Sequence, residues 1–134
     1  MIDFLDAMDV SASGLAAERT RLNVAASNLA NVHATRAPDG GPYRRRDVVL
    51  ASRPAGEGTF AVAVDRIAED AAPPRLEYDP GHPDANADGN VAYPNVNAVE
   101  EMVDMITASR AYQAGVTALE AAVTLAERAL SIGR

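Results

Sequence analysis

Residues 102–130 read MVDMITASRAYQAGVTALEAAVTLAERAL, in which Met102, Met105, Ser109, Tyr112, Val116, Leu119, Val123, Ala126 and Leu130 recur in alternating steps of three and four. Such spacing keeps side chains on one face of an α-helix. Ser109 is the weak rung. The other end of the chain carries the same ladder, Leu5, Met8, Ala12, Leu15, Arg19, Leu22, Ala26 and Leu29, broken only at Arg19. A helix of roughly thirty residues is about 45 Å long at ~1.5 Å per residue, so each stripe needs a partner along its whole length, and the nearest partner is the other ladder. The expected fold is therefore mainly α with a small β-rich insertion. Long N- and C-terminal helices form an elongated, antiparallel coiled-coil-like pair. Residues 1–33 and 96–134 make the helical part and residues 34–95 the insertion.

The C-terminal helix has clear ends. Pro94 closes the preceding loop, Asn97 is placed to cap the first turn with Glu100 as capping-box partner, and Gly133 stands where a left-handed C-cap is wanted. The helix is expected from about Asn97 to Ile132. Beside its main seam lies a second apolar set, Val99, Val103 and Ile106, and alanines at 108, 111, 114, 118, 121, 122 and 129 cover much of the rest. A helix apolar on several sides has several neighbours. The alanines fit either helix propensity alone or close lateral packing. The N-terminal helix is weaker, because Ser11, Ser13 and Gly14 fall in its interior and a glycine costs about 1 kcal/mol relative to alanine. Its ordering is expected to be coupled to contact with a partner.

Between the helices, Ala37-Pro38-Asp39-Gly40-Gly41-Pro42 is loop chemistry and Val48-Val49-Leu50 a short apolar strand. Phe60, Val62 and Val64 alternate with Ala61, Ala63 and Asp65, the period of a half-buried strand. A third strand is expected around Leu76 and Tyr78, and a fourth around Val91 and Tyr93.

Composition excludes several functions. A formal charge of −7 gives no basic face with which to neutralise phosphates, so no nucleic-acid partner is expected. With no cysteine there is neither a disulfide framework nor a thiolate metal site. No stretch approaches a membrane span, and Met1-Ile2-Asp3-Phe4-Leu5-Asp6 places acids where a secretory signal needs a cationic region, so neither membrane insertion nor a cleaved signal is expected. The only histidines, His33 and His82, read as solvated loop residues, and Asp39-Gly40-Gly41-Pro42 lacks the lysine and hydroxyl of a P-loop. No catalytic residue, metal or cofactor is expected. Asp84-Ala85-Asn86-Ala87-Asp88-Gly89-Asn90 matches the first half of an EF-hand loop, but Asn95 stands where the bidentate glutamate belongs and Pro94 precedes it. An Asx/Gly turn accounts for the same residues. Arg44-Arg45-Arg46 is the one basic cluster; it reads as a solvated strand edge, or as a patch that docks on the acidic surface of another copy, in which case added salt weakens the association. A helical-hairpin adaptor and a weak calcium-binding regulator using the Asp84–Asn95 loop stand as alternatives to an assembly role.

Asparagines 23, 28 and 31 fall in a segment otherwise built for burial, Leu22-Asn23-Val24-Ala25-Ala26-Ser27-Asn28-Leu29-Ala30-Asn31, where asparagine specifies register or, at Asn31, stops the helix. This string resembles the N-terminal signature of the flagellar basal-body rod and hook family. Ala108-Ser109-Arg110-Ala111-Tyr112-Gln113-Ala114 looks like that family's C-terminal motif. Pro38–Arg44, Tyr78–Pro83, and Tyr93–Asn97 with Glu100, Glu101, Met102 and Met105 resemble its short proximal-rod members. Asn31-Val32-His33-Ala34-Thr35 departs from the Asn-Thr-Pro-Gly-Tyr ending of hook and distal-rod members. The resemblance implies a structural subunit of a hollow drive shaft, exported unfolded by the flagellar type III apparatus and polymerising with other copies of itself and other rod proteins in the periplasm. It implies an assembly interface on Leu15, Leu22, Asn23, Asn28, Leu29, Asn31, Met102, Met105, Ser109, Arg110, Tyr112, Gln113, Val116, Leu119 and Val123.

Overall fold

A computed structural model describes residues 4–133. Helix α1 spans Phe4–Ala30 and helix α2 spans Ala98–Ile132, with four strands between them, β1 (Arg46–Gly56), β2 (Thr59–Glu69), β3 (Arg75–Tyr78) and β4 (Asn90–Tyr93). The strands form two separate antiparallel two-stranded sheets, β1–β2 and β3–β4. The architecture is the expected one, two long terminal helices around a small β region. The helices run antiparallel: Asn28 meets Glu101, Leu22 shares a groove with Met105 and Ser109, and Leu15 meets Gly115.

Both ladders need the same correction. On α1 the covered positions are Met8, Ser11, Leu15, Glu18, Leu22, Ala25 and Leu29, while Ala12 and Arg19 are exposed. On α2 the stripe runs through Glu101, Met105, Ala108, Gly115, Leu119, Ala122 and Ala126, and Met102 is 51% exposed. Met8, Leu15, Leu22, Leu29, Met105, Leu119 and Ala126 are covered as expected, the rungs between them fall one residue away, and Leu5, Tyr112 and Leu130 are exposed. The cause is size. Small residues at most of those intermediate positions, Ser11, Ala25, Ala108, Gly115 and Ala122, let the helices approach closely, and a reading weighted to large apolar side chains passes over them. Leu15 is the clearest case: a Cβ on Gly115 would stand 2.7 Å from its Cδ2. Arg19 does not break the seam, because it is not on it.

Helix α1 has a second covered face, which carries the β1–β2 hairpin. Ala17 and Asn28 are buried, and the Ser13 hydroxyl accepts from the Val62 amide at 3.0 Å. The hairpin is longer than the short strands expected, and its small residues form the inner face. Ala61 is 2% exposed, whereas Phe60 is 61% exposed and Val62 and Val64 also face outward. Alternation defines two faces of a strand without saying which is inner. Here the alanine face lies on α1. Leu50 pairs with Val64, Ser52 with Val62 and Pro54 with Phe60, and a bulge at Val49/Leu50 shifts the register before Val48 pairs with Ile67.

Helix α2 begins as expected: the Asn97 side chain accepts from Val99 N at 3.0 Å and Glu100 N at 3.4 Å. Its end differs, because Gly133 has φ −79° and so is not a left-handed cap; its amide donates to Ala129 O at 3.2 Å. Asn31 stops α1, its side chain donating to Ser27 O at 2.8 Å, and the chain turns through 31–33 before Tyr43 N returns to Ala34 O at 2.9 Å. Among the described residues, the largest fully buried side chains are Glu101, Val91, Asn28 and Pro94. Two of the four are polar, so the interior is organised by hydrogen bonds as much as by apolar volume.

Candidate assembly interface

The polar interior lies where α1 ends, β1 starts and α2 starts. The Asn28 amide uses all four of its hydrogen-bonding positions. Nδ2 donates to Arg46 O at 2.9 Å and Glu101 Oε2 at 3.0 Å, and Oδ1 accepts from Tyr43 Oη at 2.9 Å and Arg46 N at 3.0 Å. Toward Arg46 it acts as one further residue of a β-ladder. Glu101, 1% exposed, takes Arg45 Nε on Oε1 at 2.5 Å. The same guanidinium reaches Asp47 at 2.7 Å and lies 3.7 Å from Asp104. Burial alone would lower the Arg45 pKa; the hydrogen bonds to Asp47 and Glu101 outweigh it and hold the group above its ordinary value. A buried carboxylate is tolerated because it is both paired and hydrogen-bonded.

The arginine triplet is thus three different residues. Arg45 is committed to the interior, and Arg46 stacks over the Tyr43 ring at 5.7 Å with Glu69 at 3.9 Å, which leaves Arg44 exposed. Sequence reasoning missed Arg45 and Glu101 as a pair, since nothing local separates Arg45 from its neighbours. One signal was present: Glu101 heads the heptad-spaced set Ala108, Gly115, Ala122, an acid at the top of a stripe of small residues.

The residues expected at the interface fall into three groups. Leu15, Leu22, Leu29, Met105 and Leu119 are half-buried on the α1–α2 seam, and Asn28 is fully buried. Ser109, Val116 and Val123 are half-buried beside the seam, and Asn31 caps α1. Asn23, Met102, Arg110, Tyr112 and Gln113 are exposed. Leu22, Met105, Ile106, Ser109, Arg110 and Gln113 line an open groove of about 430 Å³ along the helix pair. Val99, Met102, Val103 and Ile106 make an exposed apolar row on α2, whose last member also edges that groove.

The loops are locally satisfied. The Asn86 side-chain oxygen accepts from Asp88 N and Asn90 N at 3.0 and 2.9 Å, and Gly89 has φ +79°, which makes the segment an Asx/Gly turn. The Asp84 carboxylate is engaged by Thr35 Oγ1 at 2.8 Å and by Arg36. His82, expected in solvent, is half-buried with its ring edge-on to Tyr93 at 6.1 Å, and His33 packs on the same ring at 6.3 Å. Among the described residues no group of three or more His, Asp or Glu side chains is placed to hold a metal ion, and no helix is long and apolar enough to cross a membrane.

Two regions of the chain match family models: residues 8–37 match "Flagella basal body rod protein" and residues 87–132 match "Flagellar basal body rod FlgEFG protein C-terminal". These are the helix α1 region and the β4–α2 region, the two halves that Asn28 and Glu101 join. The chain is similar over nearly its whole length to proteins called flagellar basal-body rod protein FlgC. With that of Borreliella burgdorferi it is 43% identical, covering 93% of this chain and 94% of the relative. With that of Salmonella typhimurium the identity is 44% over 97% and 98% of the two chains, and with that of Bacillus subtilis 42% over 95% and 96%. The chain belongs to the FlgC family of flagellar basal-body rod proteins. FlgC membership makes it a structural protein of the rod, and the exposed row on α2 is the surface to weigh for contacts with other rod components.

Proposed function

We propose that this chain is a subunit of the proximal flagellar rod that polymerises through its terminal helices, with other copies of itself and other rod proteins, into the hollow shaft that transmits torque and lets later subunits pass. It reaches that site by way of the flagellar type III export apparatus and lies across the periplasm. The observation that carries the reading is the Val99, Met102, Val103, Ile106 row. Helix α2 already has α1 as a partner, yet it presents a second apolar stripe to solvent. Soluble monomers rarely leave such a stripe uncovered. A contact between this face and a different face of the next subunit, repeated by rotation and rise, builds a tube rather than a closed dimer. A free-standing helical-hairpin adaptor would need only the seam and gives the outer row no task.

The outer row is the place to test this, because substitutions in the seam would also damage the subunit itself. The double substitution Val103→Asp with Ile106→Asp is expected to leave the circular dichroism, melting midpoint and secretion of the subunit unchanged. Rods should be missing from basal-body preparations and swimming lost. Normal swimming with the variant as sole copy overturns the assembly role of this face.

A further inference from the structure

The heptad-spaced small residues Ala108, Gly115 and Ala122 make the α1–α2 seam nearly repetitive along its axis. Sliding α2 by seven residues, about 10 Å, exchanges one small residue for another beneath each leucine of α1, and the apolar seam alone discriminates weakly between such registers. One layer does not repeat. Asn28 faces Glu101, and its amide cannot turn over, because Arg46 N and O fix its orientation from the other side. Arg45, which neutralises the carboxylate, is held at the start of β1 by the same cluster. From this geometry we infer that the Asn28–Glu101–Arg45 cluster is the register lock of the subunit, selecting one axial alignment of α2 against α1.

A slid helix would bury Glu101 away from both its partners, or leave Asn28 and Arg45 facing alanine. Either arrangement strands a desolvated polar group. A second polar tie, Thr35 and Arg36 to Asp84, includes an arginine largely in water and competes with solvent, so it discriminates less. The lock concerns the subunit's own fold and holds whether or not the proposed shaft forms. By fixing α2 it also fixes where the Val99–Ile106 row stands relative to α1 and the hairpin.

The absence of cysteine makes the register readable by cross-linking. A Cβ on Gly115 would lie 3.5 Å from Leu15 Cγ, where a cysteine sulfur at position 15 would sit, so Leu15→Cys with Gly115→Cys reports the observed register. Leu15→Cys with Ala122→Cys reports the register slid by seven. In the otherwise natural full-length chain the first pair is expected to oxidise to an intrachain disulfide and the second not to. Adding Asn28→Leu and Glu101→Leu removes the lock while keeping the seam apolar; Arg46 N and O, Tyr43 Oη and Arg45 each lose a partner, so stability should fall while the register is freed. The share of the slid disulfide should then rise about tenfold, the ratio that ~1.4 kcal/mol of lost discrimination produces. Glu101→Gln alone, which leaves its amide NH2 facing either Asn28 Nδ2 or Arg45 Nε, both donors, should give the same change to a smaller extent and serves if the double variant does not refold. An unchanged disulfide pattern in these backgrounds overturns the inference. So does an equal rise caused by Asp84→Ala, which would place the register lock in the loop tether instead.

Discussion

Neighbouring residues of one type do different work in this chain, and burial decides which. Arg44, Arg45 and Arg46 are indistinguishable as a run, yet one faces water, one neutralises a buried glutamate and one lies over a tyrosine ring. The polar residues of the Leu22–Asn31 string divide likewise: Asn23 is exposed, Asn31 closes the helix, and Asn28 is the buried hub. Asp84 shows the same local logic at the surface. The hydroxyl of Thr35, then the guanidinium of Arg36, hold its carboxyl below the usual carboxylate value. A group with a depressed folded-state pKa contributes its stabilisation above the ordinary value of about 3.9 and loses it as pH falls through the depressed one, so this tie is intact at neutral pH and released only in strong acid. Thr35→Val should move the Asp84 titration midpoint, read by carboxyl NMR, upward toward the ordinary value. A midpoint that stays where it was would show that the hydroxyl does not hold the carboxylate.

At the scale of elements, the two helices differ in what their glycines do. Gly14 in α1 has open space where a Cβ would go, whereas the same atom on Gly115 meets Leu15 Cδ2 at 2.7 Å. Gly14→Ala should therefore raise stability by about 1 kcal/mol, the full helix-propensity difference. Gly115→Ala gains the same propensity but must displace Leu15 from the seam, so its net effect should be clearly smaller or of opposite sign. Urea denaturation of both variants decides the point, and equal gains would mean that Leu15 does not depend on the gap at Gly115. The sequence made both helices, their pairing, the Asn97 cap and all four strand positions legible, because period and turn chemistry are local signals. It did not show which alternate residues of the ladders enter the seam, nor which face of β2 lies on α1. Those depend on how closely two elements approach, and Ala25, Ala61 and Ala108, which set that approach, look like filler in a hydropathy pattern. The Glu101–Arg45 pair was hidden for a related reason: its members lie in different elements and meet only in the folded chain.

For the whole molecule, charge and apolar surface pull self-association in opposite directions, and the structure changes which of them salt should reveal. The Arg44–Arg46 run, read as one docking patch, leads to association that weakens with salt. With Arg45 turned inward and Arg46 near Glu69, Arg44 is the member of that cluster with no ion pair among the described residues. It stands against a chain of 19 acidic and 12 basic residues whose copies carry −7 each and repel one another. The surfaces left to drive contact are apolar, among them Val99, Met102, Val103 and Ile106 near the start of α2, Leu125, Leu130 and Ile132 near its end, and Leu50, Phe60, Val62, Val64 and Ile67 on the outer side of the hairpin. Apolar contact gains nothing from low ionic strength, while the repulsion opposing it is screened once the Debye length falls to about 10 Å near 0.1 M salt. Sedimentation equilibrium of the purified subunit should therefore show an apparent mass that rises between roughly 10 mM and 150 mM sodium chloride, and the Val103→Asp, Ile106→Asp variant should show a smaller rise or none. A mass that falls with salt would return Arg44 and a complementary acidic patch to the centre of the contact, and would make the apolar row secondary.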